Sequence, residues 1–415
     1  MKGDTRFIRT LQLRNLLSFG PDSAPTEFGP LNVLIGPNGS GKSNMVEAIG
    51  LLRASATDLV APIRAGGGTK EWLWKGSTNT PSAEINATIA NPGLGTSQSA
   101  EESIPLRHRI SFSRDFSSFV LVDEAIEDES KAFEKAPDVH YYYRHRRGNP
   151  VLSALALNES NGANNRDRVQ LQLRSKDFQA NQSIVSQRRD PRQYPEITYL
   201  DFMYRSIRLY GGWDLGRGSK ARLPQSTDLL NDFLAEDASN LGLYLNHLFH
   251  EEGTKSALIA QLKRFYDQFS DLTFLVQGGT LQTFFREQSL QHPVPASRLS
   301  DGTLRFLCLA SVLCKPTGTP LICIEEPEIG LHPDIIPTVA EMLVEASERT
   351  QIIVTTHSDI LVDALTHVPE TVLVCEKESN STTVRRLDQD ALGKWLYEYR
   401  LGDLWRSGQL GGNRW

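Results

Sequence analysis

Gly36-Pro-Asn-Gly-Ser-Gly-Lys-Ser43 carries the spacing G-x-x-x-x-G-K-[ST]. Glycines so placed let backbone N–H groups approach an anion, and a helix start just after them adds positive potential. The candidate phosphate-binding residues are Gly36, Pro37, Asn38, Gly39, Ser40, Gly41, Lys42, Ser43 and Asn44. Lys42 is expected to face the β- and γ-phosphates of ATP, and Ser43 to ligate Mg²⁺. Leu321-Ile-Cys-Ile-Glu-Glu326 is an apolar run that ends in two acids. Paired carboxylates at the end of a buried strand are costly unless a cation or hydrogen bonds compensate. Mg·ATP supplies that cation: Glu325 is expected to hold Mg²⁺, and Glu326 to orient and deprotonate the attacking water. His357, in Thr355-Thr-His-Ser358, follows another apolar run. It can hydrogen-bond a γ-phosphate and the same water; the plain alternative is a structural histidine. Leu299-Ser-Asp-Gly302 opens an apolar helix, so Ser300 and Gly302 make a second anion-binding helix end, against the alternative of a simple serine cap.

These residues need strands that end together and helices that begin there. Residues 7–19 alternate as a strand, 31–35 read as a short buried strand, and Ser43 to Ala56 as a helix with Met45, Ile49 and Leu52 on one face. Residues 60–80 read as irregular. Strand-like runs follow at 83–90, 104–113, 119–123 and 139–144, with polar loops at 93–102 and 158–168, which together suggest an antiparallel β lobe. Residues 228–268 read as helical, and 273–285 as strand, Gly-Gly turn, strand. The rest reads as a helix to Leu313, a strand at 320–324, a helix at 333–347 and strands at 351–355 and 371–375.

Composition narrows the class. The 415 residues are 39% apolar and 23% charged, an ordinary globular mix. No apolar run reaches the roughly 20 residues that span a bilayer, and the first residues lack an apolar signal core, so a cytoplasmic protein is expected. The net charge of −6 excludes a uniformly basic nucleic-acid wrapper, so DNA contact must come from local patches. The four cysteines form no Cys-x-x-Cys pair and read as buried free thiols.

The motif order resembles the ABC-type ATPase head shared by RecF, the SMC proteins and the ATPase half of the OLD (overcoming lysogenization defect) nucleases. Gly36–Ser43 resembles Walker A, Leu299–Gly302 the signature, Ile324–Pro333 Walker B with the D-loop, and His357 the switch histidine. The resemblance covers residues 1–60 and about 270–375. It implies an α/β head with an antiparallel β lobe and a helical lobe, in which 1–60 and 270–415 form a composite ATPase head and 61–269 an inserted lobe. Lys42 and Ser300 lie 258 residues apart (300 − 42), too few and without heptads for a long coiled coil. It implies a homodimer that sandwiches two ATP molecules, each signature completing the partner's site. It further implies a glutamine that contacts Mg²⁺ and water: Gln187, with Gln182 as its rival. Glu325 and His332 stand where many relatives have aspartate.

Arg144, Arg146 and Arg147 beside Tyr141–Tyr143 suit DNA contact, or plain surface. Arg188, Arg189 and Arg192 form a second cluster, suited to DNA or to the nucleotide site. After His357 only 58 residues remain (415 − 357), fewer than the roughly 100 of a small domain such as the Toprim domain of OLD nucleases. Asp388 and Asp390 there read as solvated surface, and Trp395–Trp415 as a docking surface for a separate effector, a nuclease. The rival readings are a fused OLD-like nuclease and a transporter ATP-binding subunit.

Overall fold

The computed structural model describes residues 4–77, 82–93, 104–116, 118–130, 139–146, 149–155, 168–174, 177–314, 318–393 and 395–412. At its centre lies a six-stranded sheet in the order Arg208–Tyr210, Leu321–Glu325, Gln351–Thr355, Leu31–Ile35, Val372–Glu378, Ser381–Arg386. The first five strands are parallel, and the last returns antiparallel. Central parallel strands are covered on both faces and so read as unbroken apolar runs. Their alternation divides two cores. Val33, Ile35, Ile322, Ile324, Ile352, Val354, Val372 and Val374 join one core; Leu34, Leu321, Cys323, Ile353, Leu373 and Cys375 join the other.

The first core is shared with the helices Leu241–Phe249, Glu252–Phe265, Asp301–Cys314, Ile336–Ser347, Asp359–Ala364 and Leu401–Arg406. The second is shared with Lys42–Ser55, Pro195–Arg205 and an eight-stranded antiparallel sheet. That sheet runs Thr26–Glu27, Ile8–Arg14, Ala83–Ile89, Leu106–Asp115, Ser118–Asp128, Tyr141–Arg146, Asn149–Leu155, Arg168–Gln172. A hairpin, Phe269–Gln277 and Thr280–Glu287, turns at Gly278-Gly279 and carries two short flanking strands.

Four expectations need correction. Residues 60–80 hold two short helices, Val60–Ala65 and Thr69–Trp72, because Val60, Ile63 and Trp72 bury into the second core. Helix begins only at Leu241. Before it the Asn240 side chain bonds Ala235 N–H and the Leu230 and Phe233 carbonyls, a local network that competes with helix. Strands Asn149–Leu155 and Arg168–Gln172 extend the lobe beyond its expected limit. Arg208–Tyr210, inside the stretch 61–269, forms the edge of the central sheet. The expected loops 93–102 and 158–168 lie almost wholly outside the described residues. All four cysteines are free, with Cys314 half-buried and the others buried; burial pushes the Cys314 and Cys375 thiols up to about 12. Among the described residues no helix exceeds 14 residues, and none is long and apolar enough to cross a membrane.

Candidate functional site

Sheet register brings the sequence motifs to one line. Tyr210 lies level with Ile324, Glu325 with Thr355, Thr355 with Leu34, and Leu34 with Leu373. Four parallel strands therefore end side by side, followed by Gly211, Glu326, Thr356 and Gly36, while the fifth, Val372–Glu378, runs on beside the phosphate loop through Cys375. The carboxyl ends of such strands are where α/β sheets bind ligands.

The phosphate loop is braced from beneath. A Cβ at Gly36 would meet the Cys375 carbonyl at 2.2 Å, so only glycine fits. Thr382 Oγ1 donates to the Ser40 carbonyl at 2.9 Å. Lys42 Nζ is drawn into the loop and donates to the carbonyls of Gly36 (2.7 Å) and Pro37 (3.1 Å). Burial lowers its pKa, against the opposing pull of Cys375, Glu326 and Glu328. Ser40 Oγ is buried and has no hydrogen-bond partner among the described residues. An orphaned hydroxyl inside a glycine-rich loop at a helix start fits a phosphate-bearing ligand. Asn38, Gly39 and Ser43 are exposed, Pro37 and Asn44 half-buried.

Glu325 and Glu326 follow on the next strand but one. Glu326 adopts φ 46°, fixed by its N–H bonding the Thr355 carbonyl at 2.8 Å. The turn sends its carboxylate towards the switch loop, where Glu326 Oε1 lies 3.9 Å from His357 Nε2. The His357 pKa is lowered, first by burial and then by Lys42, with Glu326 and Glu328 opposing. Glu47, one turn after Ser43 on the same helix face, was not singled out from the sequence. Burial, then the charge of Glu325, raises its pKa, so the two acids are electrostatic neighbours. The i, i+4 spacing from Ser43 was the available signal. Among the described residues no group of three or more His, Cys, Asp or Glu side chains can hold a metal ion. A hydroxyl from Ser43 and a carboxylate from Glu325 suit Mg²⁺, which keeps phosphate oxygens and waters in its remaining positions.

The signature serine caps its own helix, Asp301–Cys314. Ser300 Oγ accepts Thr303 N–H at 3.0 Å and shares a hydrogen bond with Thr303 Oγ1 at 2.8 Å. Ser300 nonetheless stays exposed. Gly302 is required by close approach: a Cβ there would lie 2.8 Å from the Gly330 carbonyl. The signature thus leans on the D-loop of its own chain. Buried Arg222 ties Leu299 and Asp301 of this motif to the carbonyls of Leu215 and Gly216. In the D-loop, His332 Nδ1 accepts Asp334 N–H at 3.4 Å, so an acid does stand beside it.

Gln187 is not brought to the site. Its amide bonds the carbonyls of Gln179, Gln182 and Ser183, and its oxygen accepts Gln179 N–H. Gln182 binds Asp58 and Leu59 N–H. Both sit past the far end of helix Lys42–Ser55, whose 14 residues separate them from the phosphate loop by about 20 Å. The position beside Glu325 is taken by the loop after Arg208–Tyr210, where a Cβ on Gly211 would lie 3.9 Å from Glu325 Oε1. Exposed Asp214 closes that loop onto Gly216 N–H.

The basic clusters are also rearranged. Tyr142 and Tyr143 are buried in the lobe and cannot stack on bases, while Arg144 lies 4.7 Å over the Tyr141 ring. Arg146 belongs to a strand whose side chain here is not described, and Arg147 lies outside the described residues. Arg188 bonds the Asp177 carbonyl, and Arg189 pairs with Asp201. In the tail, Asp388 caps its own short helix through Asp390 N–H at 2.9 Å. Trp405 is buried in the first core, whereas Trp395, Tyr397 and Tyr399 are exposed. Trp415 lies outside the described residues.

A family model described as "AAA domain, putative AbiEii toxin, Type IV TA system" matches residues 31–363. The Old nuclease of Escherichia phage P2 is 31% identical over 179 residues, 37% of this chain; the match spans 30% of that relative's length. A SmcHead bound to the C-winged helix domain of ScpA superposes with a TM-score of 0.57 at 15% identity, over 94% of this chain and 99% of that one. A Smc head domain with an extended coiled coil, bound to the C-terminal domain of ScpA derived from Pyrococcus furiosus, gives 0.53 at 15% identity with the same coverage. At such identities the likeness shows the fold alone: an ABC-type ATPase head of the SMC kind, without a long coiled coil among the described residues.

Proposed function

The chain belongs to the family described as AAA domain, putative AbiEii toxin, Type IV TA system, and on that premise we propose that it binds Mg·ATP, hydrolyses it, and uses the cycle to close and open a homodimer. The observation that carries this reading is the convergence of Lys42, Glu326 and His357 at neighbouring strand ends, beside a phosphate loop that holds an orphaned serine hydroxyl. Lys42, already desolvated and bonded to the Gly36 and Pro37 carbonyls, is poised to turn its charge to the β- and γ-phosphates. Bound Mg²⁺ would neutralise developing charge on those phosphates, with Ser43 and Glu325 holding it. Glu326 orients the attacking water and accepts its proton. His357, neutral at physiological pH, hydrogen-bonds the γ-phosphate and the same water.

Exposed Ser300, with Gly302, is read as serving the phosphate loop of a second copy, not Gly36–Ser43 of its own chain. A second copy, placed head to tail, brings that end to the γ-phosphate and makes two complete sites. We read 1–60 and 270–415 as the composite head and 61–269 as a lobe carried on it, with Arg208–Tyr210 returning to the head's sheet. The gated process is DNA binding, with Arg144, Arg146 and Arg147 as its candidate contacts, or a separate effector, a nuclease, docked on the aromatic tail. Phage defence or DNA repair in the cytoplasm is the setting proposed.

Calorimetry and light scattering test the core of this. Wild type binds Mg·ATP, and Lys42→Ala loses affinity by about 100-fold or more. Glu326→Gln keeps binding, loses turnover, and doubles in mass with ATP. Equal affinity in wild type and Lys42→Ala, or full turnover by Glu326→Gln, sinks the reading.

A further inference from the structure

Glu328 stands two residues past Glu326, on a turn closed by Ile329 N–H donating to the Glu326 carbonyl at 3.2 Å. Its carboxylate folds across to the loop after the adjacent strand. Oε1 accepts the Thr356 hydroxyl at 2.6 Å and the His357 backbone N–H at 2.9 Å. The Thr356 oxygen in turn accepts Ser358 N–H at 2.9 Å, and Ser358 Oγ caps helix Asp359–Ala364 through Leu361 N–H at 3.2 Å. One oxygen atom therefore gathers the backbone that carries the imidazole and ties it to the turn that carries Glu326. Past the paired Glu325 and Thr355, the only backbone bond across this junction among the described residues is Glu326 N–H to the Thr355 carbonyl. The other carboxylate oxygen, Oε2, is buried without a hydrogen-bond partner among the described residues. Such a group is unfavourable where it serves only to fill space.

We propose that Glu328 is a positioning residue for hydrolysis: it locks the Thr356–Ser358 loop to the Glu326 turn, so that the His357 imidazole and the Glu326 carboxylate converge on one water. This rests on the ATPase reading above. Glu328 acts through His357 and its backbone, as a hydrogen-bond acceptor, and touches no nucleotide. A misplacement of about 1 Å at such a pair costs up to about 100-fold in rate, while nucleotide affinity, set chiefly by the phosphate loop, changes little, because Glu328 is the weakest of the charges acting on Lys42.

The test compares Glu328→Ala and Glu328→Gln with the full-length wild type by amide hydrogen exchange, ATP calorimetry and steady-state turnover. In Glu328→Ala, exchange at 356–358 accelerates, kcat falls by about 10- to 100-fold, and the Kd for ATP stays within about threefold. Glu328→Gln keeps the Oε1 acceptor, so it restores protection at 356–358 and most of kcat. Unchanged exchange in Glu328→Ala overturns the proposal. So does a kcat that survives faster exchange, a Kd lost in step with kcat, or a Glu328→Gln variant as damaged as Glu328→Ala. If wild type itself turns over no ATP while binding it, the ATPase reading falls, and exchange alone decides whether Glu328 locks the loop.

Discussion

A left-handed backbone at a glutamate costs about 1–3 kcal/mol, and Glu326 sits at φ 46°. The conformation breaks the strand's alternation and swings the carboxylate to His357, so strain at one residue creates an acid–imidazole approach of 3.9 Å at the strand ends. The electrostatics then fix a pH dependence. Burial and Lys42 favour the neutral imidazole, and the nearby glutamates only partly oppose them. A folded-state value below the ordinary histidine pKa leaves the ring neutral through neutral pH and protonates it only on further acidification. Turnover should therefore stay level as pH falls to about 6.5 and decline below it, and His357→Gln should turn over slowly without that acid limb. An acid limb unchanged in His357→Gln would remove the histidine from the chemistry. The placing of Glu325, Glu326 and His357 at adjacent strand ends was legible because each ends or closely follows an apolar run. Gln187 was misplaced because nothing in its local sequence records which end of helix Lys42–Ser55 it meets; that is decided by its bonds to Gln179, Gln182 and Ser183.

The parallel strands were the most legible elements, since strands covered on both faces, such as Leu31–Ile35 and Gln351–Thr355, must be apolar throughout. Arg208–Tyr210 escaped notice because an edge strand of three residues carries no such run. Its loss from the sequence reading hid the loop 211–216, and with it the role of Arg222. That guanidinium is 4% exposed, and it joins Leu215 and Gly216 to Leu299 and to the largely exposed Asp301. The loop beside Glu325 and the signature thus share one buried donor group. Replacing Arg222 with Met leaves buried carbonyls unpaired, at a cost of about 2–3 kcal/mol, and frees the signature end. Asp301→Asn removes only a solvent-screened partner and should cost under about 1 kcal/mol. Urea unfolding should separate the two, and ATP-driven dimerisation in a Glu326→Gln background should weaken only with Arg222→Met. Equal unfolding midpoints for the two variants would show that the clamp carries no such weight.

Across the whole molecule the tail closes back on the nucleotide side of the sheet. Helix Leu401–Arg406 lies on helix Asp359–Ala364, with Gly402 N–H donating to Asp363 Oδ1 at 2.6 Å and Arg406 pairing with Asp359 at 2.6 Å. Trp405 fills the core beneath. The chain then turns so that Gly412 N–H donates to Glu376 Oε1 at 2.8 Å, and a Cβ on Gly412 would lie 3.4 Å from Gly36 Cα and 2.9 Å from Val374 Cγ1. The segment that follows the exposed aromatics Trp395, Tyr397 and Tyr399 is therefore anchored to the helix after His357 and to Glu376, and passes close to the first residue of the phosphate loop. The sequence showed tryptophans and glycines there but not their direction, because packing of a tail on a sheet leaves no periodicity to read. If the tail braces the loop, Gly412→Val, with a branched side chain at φ 69°, must push the turn off Val374 and so away from neighbouring Gly36. ATP affinity should fall by about 5- to 10-fold, or about 1–1.4 kcal/mol, with the far-ultraviolet circular dichroism unchanged. Gly218→Val, where an added Cβ meets nothing within 4 Å, is the control and should bind as wild type does. Identical calorimetric Kd values for the two variants would mean that the tail and the phosphate loop are neighbours without mechanical connection, and that a partner docked on the aromatics has no route through this contact to the nucleotide.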